Sequence, residues 1–192
     1  MKRLFAAIKI HPSQQFLSIY DQLIRDFRHD NIKFVERENI HITLKFFGET
    51  DEQKIPAICK IFMNVVAKNS SFILKINRTG IFGSSYQPKV IWFGIDENPL
   101  LQKLFWNIAE ELQNIGYETD RQNFVPHLTI GRIRYITDKK LFQQTLEKYK
   151  TVCLQDAFVN SFTLYESILR REGPLYKIIE HFDFLDSSAA LS

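Results

Sequence analysis

His41 and Thr43 stand two residues apart in IHITLKFF (40–47), and His127 and Thr129 stand two apart in PHLTIGR (126–132). Successive side chains of a β-strand point to opposite faces, so each histidine shares a face with its threonine. Ile42 and Leu44, or Leu128 and Ile130, then lie on the apolar opposite face. One such pair alone reads as a structural histidine with a satisfied hydrogen bond. Two pairs of the same parity, 86 residues apart in a chain of 192, read as two strands facing each other across a cleft. Imidazole titrates near neutrality, so two in one cleft form a general base and a general acid on opposite sides of a reacting centre. A threonine about 7 Å further along each strand, from the rise of ~3.3 Å per residue, offers a hydroxyl donor to an anionic oxygen. Two histidines and two hydroxyls so arranged suit an in-line displacement at phosphorus.

These residues need elements to hold them. Residues 3–10 (RLFAAIKI) read as a first strand, followed after His11-Pro12-Ser13 by a helix carrying Phe16, Ile19, Tyr20, Leu23, Ile24 and Phe27. Strand 40–47 leads to a helix over about 51–67. Strands 72–76 and 89–95 are joined by a turn around GIFGSSYQP. Asn98-Pro99 is a helix start, and Gly116 a stop. A strand over 124–133, a helix over about 138–149, and a final pair of long strands, 157–169 and 175–184, complete the order. This mixture predicts an α+β protein with mostly antiparallel sheets. With no linker or repeat, residues 1–192 are expected to form a single domain, with SSAALS frayed at the end.

The composition, 45% apolar with 14% aromatic residues, is that of a folded water-soluble protein. No window approaches the roughly 18 apolar residues of a membrane-spanning helix, and the basic N-terminus lacks a signal-peptide core. A net charge of +3 does not by itself indicate a nucleic-acid partner. Arg121, Arg132, Arg134, Lys139, Lys140, Arg170 and Arg171 do concentrate in the second half. Cys59 and Cys153 have no metal-ligand spacing and fall in apolar patterns, as core thiols of a cytoplasmic protein would. Trp92 and Trp106 read as core. Phe47, with the parity of His41, and Tyr176 are each open to a core role or to stacking on a base. His11, His29 and His181 have no threonine two places on and read as isolated histidines.

The doubled His-x-Thr-hydrophobic pattern resembles the two-histidine (2H) phosphoesterases. RLFAAI, NIHITLKFFGE, PKVIWFGI, PHLTIGR, LYES and GPLY, in that order, resemble one branch, the RNA 2′,3′-cyclic phosphodiesterases, also called 2′-5′ RNA ligases. The resemblance implies a bilobed fold with pseudo-twofold symmetry, two sheets facing a central cleft and helices outside. It implies hydrolysis of an RNA 2′,3′-cyclic phosphate to a 2′-phosphomonoester without metal or cofactor, with reversible 2′-5′ ligation as a further possibility. His41 would be the proton donor, His127 the proton acceptor, and Thr43, Thr129 and Arg132 the phosphate-binding residues. The expected partner is RNA with a cyclic-phosphate end, tRNA-like fragments included, acted on by a monomer with no membrane involved. Strict alternation sends Arg132 to the wrong face, unless Gly131 marks a bulge. The competing readings are an RNA-binding module without turnover and a phosphodiesterase for small cyclic nucleotides. A metal-dependent hydrolase would need a third ligand that neither motif contains.

Overall fold

A computed structural model describes residues 1–118, 124–171 and 173–185. Arg121 and the terminal SSAALS lie outside the described residues. Among the described residues, nine strands form two sheets. One has the order β3-β1-β8-β9, built from β1 (Lys2–Lys9), β3 (His41–Thr50), β8 (Ser161–Leu169) and β9 (Pro174–Asp183). The other has the order β2-β6-β5-β4-β7, built from β2 (Asn31–Phe34), β4 (Phe72–Gly83), β5 (Pro88–Ile95), β6 (His127–Tyr135) and β7 (Cys153–Val159). All seven neighbouring strand pairs run antiparallel. Each sheet holds one motif strand, β3 in the first and β6 in the second.

The helices cover the outer faces. α1 (Gln14–Asp26) starts where the Ser13 hydroxyl accepts the Phe16 N–H at 3.2 Å, and its Phe16 meets Phe93 of β5 edge-on at 5.0 Å. Although α1 follows a strand of the first sheet, it therefore packs on the second. α4 (Lys139–Lys148) joins it there through Phe142, 4.9 Å from Phe27. α2 (Ile55–Val66), preceded by a 3-10 turn at Glu52–Lys54, presses Phe62 edge-on against Phe162 and Phe182 of the first sheet, at 5.0 and 5.2 Å. α3 (Pro99–Gln113) packs beside α2. Asn98 caps α3 as expected, its side-chain oxygen accepting the Leu100 and Leu101 N–H groups at 3.0 Å each. None of the described helices is long and apolar enough to cross a membrane.

Five features depart from the sequence reading. The run 157–169 is not one strand: it breaks at Asn160, which carries the chain from β7 in one sheet to β8 in the other. β4 continues past residue 76 to Gly83, through an irregularity where Arg78 adopts φ 39° and drops out of register with β5. Trp106 is 47% exposed on the solvent side of α3, and Cys153 is exposed rather than a core thiol. Finally, β2 was not anticipated.

Phe62 is fully buried, with Phe47, Phe162 and Phe182 around it. Truncation there leaves a cavity that stacked rings cannot collapse into. Phe62→Ala is expected to destabilise the fold by about 3–5 kcal/mol, read as a lower denaturation midpoint in urea.

Candidate active site

Each motif histidine is the first residue of its strand and is held in the same way. His41 follows a 3-10 turn over Arg37–Asn39, and its Nδ1 lies 2.6 Å from the Asn39 carbonyl oxygen. His127 opens β6, with Nδ1 2.8 Å from the Val125 carbonyl oxygen. A carbonyl only accepts, so Nδ1 carries the proton in both rings. Both Nε2 atoms are left for the cleft. Aromatic rings fix the imidazole planes: Phe5 and Tyr176 stand 5.1 and 5.5 Å from His41, and Phe82 meets His127 edge-on at 4.6 Å. The Asn39 amide donates to the Pro174 carbonyl at 3.2 Å, tying the turn before His41 to the start of β9.

His41, Thr43, His127, Thr129 and Arg132 all line one cavity of about 480 Å³ between the sheets. Arg132 gets there through a break in register. Against β5, Trp92 pairs with Thr129 and Ile91 with Gly131, so Ile130 has no opposite residue. This bulge reverses the parity and returns Arg132 to the face of His127 and Thr129. Gly131 fits because its neighbour is close: a Cβ there would meet Ile32 Cγ2 of β2 at 2.9 Å. β3 has the same irregularity at the same offset. Ala7 pairs with Thr43 and Ala6 with Lys45, leaving Leu44 unopposed. Phe46, five residues after His41, thereby takes the place that Arg132 has five residues after His127. Phe47 instead packs on Phe62 and Tyr117, so Phe46 is the ring in the cleft, 49% exposed. Arg3 sits over that ring, 4.9 Å from its centroid. Arg3, Lys33 and Ser167 also line the cavity and were not singled out by sequence reasoning; Tyr176 was. The signal for Phe46 was its offset from His41, which matches that of Arg132. Lys33 could not be placed because β2 was not foreseen.

Burial lowers the pKa of both histidines, and positive neighbours lower it further. Lys9, His127 and Arg132 act on His41, and Arg132 acts on His127; the Nδ1 hydrogen bonds work in the opposite direction. Burial raises the pKa of Tyr176, and Arg132 offsets part of that rise. The cleft is thus electropositive, and an anion in it would favour the imidazolium form of either histidine. Among the described residues, no group of three or more His, Cys, Asp or Glu is placed to hold a metal ion.

Comparison with known proteins identifies the family and the fold. The model of a family described as LigT-like phosphoesterase matches residues 8–92 and 94–176. The chain is 36% identical over 182 residues to an RNA 2′,3′-cyclic phosphodiesterase of Methanocaldococcus jannaschii, covering 94% of this chain and 99% of that one. A protein of the same name from Thermotoga maritima is 33% identical, covering 95% of each. Among solved structures, TT0787 of Thermus thermophilus superposes with a TM-score of 0.79 at 20% identity, covering 96% of this chain and 99% of that one. E. coli LigT complexed with 3′-AMP superposes at 0.77 and 22% identity, with the same coverage. At these identities the two structures establish the fold.

The lowered pKa values link stability to acidity. Well above the ordinary histidine value of 6.5, both folded and unfolded imidazoles are neutral and nothing is lost. Below it, the unfolded chain binds protons that the folded cleft resists. Stability therefore falls as pH drops through about 6.5, and levels off once the folded histidines are themselves protonated. Urea midpoints at about pH 7.5 and about pH 5.5 are expected to differ, and His41→Gln to narrow the gap.

Proposed function

The chain belongs to the LigT-like phosphoesterases, and from that premise we propose that it is an RNA 2′,3′-cyclic phosphodiesterase producing 2′-phosphomonoester ends. What supports the reading is the matched pair of Nδ1 hydrogen bonds, which leaves two Nε2 atoms to address one cavity. In the reaction, His127 Nε2 takes a proton from water as the water oxygen bonds to phosphorus. The P–O3′ bond breaks on the far side, and His41, protonated at Nε2, gives its proton to the departing O3′. The Thr43 and Thr129 hydroxyls donate to the non-bridging oxygens, and the Arg132 guanidinium offsets the charge that builds there. The bound phosphate anion supplies what the free cleft withholds, a field that keeps His41 protonated.

Opening the five-membered cyclic phosphate releases ring strain. A 5′-hydroxyl in place of water would give a 2′-5′ linkage by the same steps, and in bulk water hydrolysis dominates. No step calls on a metal or cofactor. Because neither sheet carries both histidines, the two act as one bilobed domain, in this proposal as a monomer in the cytoplasm.

Phosphorus NMR of the protein with a 2′,3′-cyclic nucleotide in excess EDTA tests the reading. Growth of a 2′-monoester signal is expected. His41→Ala and His127→Ala are each expected to slow it by about 10²–10⁴-fold. A 3′-monoester product would reverse the choice of leaving oxygen, and loss of activity in EDTA would overturn the metal-free mechanism. The pH profile of kcat/KM is expected to be bell-shaped, reporting one acid and one base.

A further inference from the structure

A second cavity of about 860 Å³ adjoins the cleft on the other side of His41. Phe5, Glu36, Asn39, His41, Gly173, Pro174 and Tyr176 line both and form a common wall. The rungs of the first sheet step across its floor: Lys9 pairs with His41, Ala7 with Thr163, and Thr163 with His181 of β9. Its far end lies where Asn160 carries the chain between sheets, with Phe158 66% exposed and Ile178 60% exposed. The backbone beside His11 is held by Gln155, which donates to the His11 carbonyl at 3.1 Å and accepts from the Ser13 N–H at 2.6 Å. His181 is fixed between the Thr163 hydroxyl, 2.8 Å from its Nδ1, and Asp183, 3.3 Å from its Nε2.

We propose that this second cavity binds the RNA strand on the 5′ side of the nucleotide bearing the cyclic phosphate. The inference rests on the proposed function. If His41 protonates O3′, the ribose lies on the His41 side of phosphorus, away from the water at His127. The strand leaving that ribose then faces the second cavity across the His41–Tyr176 wall. Small-ligand pockets run to about 300–1,000 Å³, so the cleft takes the reacting nucleotide and the second cavity has room for about two more. Its chemistry suits them. The exposed Phe158 ring offers a stacking face, which is sequence-tolerant because every base has a π-face. Lys9, His11 and Arg170 supply N–H donors for backbone phosphates. Glu36 and Glu38 also line the cavity, on the segment leading into β3. Their charge turns phosphates towards the sheet, and their carboxylates can accept ribose 2′-hydroxyls. Burial lowers the Lys9 pKa while Glu38 raises it, as expected of a cation set into the floor.

The test compares kcat/KM for a cyclic mononucleotide and a trinucleotide with a 2′,3′-cyclic phosphate end. The wild type is expected to prefer the trinucleotide by about tenfold or more. Phe158→Ala combined with Arg170→Gln is expected to abolish the preference and leave mononucleotide turnover unchanged. Equal rates in the wild type, or a preference that survives in the double variant, would overturn the proposal. Absence of turnover on both substrates would instead refute the proposed function. Fluorescence anisotropy of a labelled trinucleotide ending in 2′-phosphate then decides the second cavity alone. Binding at least about tenfold tighter than that of the 2′-mononucleotide, lost in the double variant, would support it, and equal affinity would end it.

Discussion

The site depends on one hydrogen bond made twice, from an imidazole Nδ1 to the backbone carbonyl two residues before it. A free imidazole exchanges its proton between two nitrogens and rotates about its side-chain bonds. Here the acceptor is main chain, so the strand that positions the ring also fixes which nitrogen is bare. Asn39 and Val125 therefore act through their carbonyl oxygens, and their side chains are not what the bond requires. The segments that present those carbonyls, a 3-10 turn before β3 and a proline-containing approach to β6, matter as much as the histidines.

The second requirement is a pair of register breaks. A regular strand would show histidine, threonine and every second residue after them to the cleft, and would bury Phe46 and Arg132. The unopposed Leu44 and Ile130 reverse that order after each threonine. Similar backbone thus presents different chemistry on the two sides: an aromatic ring at +5 in one strand, a guanidinium in the other. The two motif strands are equivalent in geometry and unequal in function.

The sequence made the motif legible because a two-residue period survives at the start of both strands, and Gly131 marked the second bulge. Strict alternation points to Phe47, and the unopposed Leu44 brings Phe46 into the cleft instead, so only register decides. The short β2, at a sheet edge, has too few apolar residues to stand out. The run 157–169 has apolar residues on both sides of Asn160-Ser161, and nothing in its pattern announces that Asn160 changes sheets. Asn77-Arg78-Thr79-Gly80 interrupts the apolar alternation, so the reading stops β4 where it is irregular. Trp106 follows the helical spacing poorly, and only tertiary packing places it outside.

The interleaving of strands between the sheets has a kinetic consequence. β1 lies between β3 and β8, and the residues it pairs with in β8 are about 160 positions away along the chain. Contacts that distant close late and slowly. During synthesis, the first histidine emerges early but its sheet lacks a central strand until nearly all of the chain is made. An unfinished chain would hold the first motif on a two-stranded ribbon, which is marginal alone in water. Folding order thus keeps the first histidine out of a formed cleft until the second has joined it.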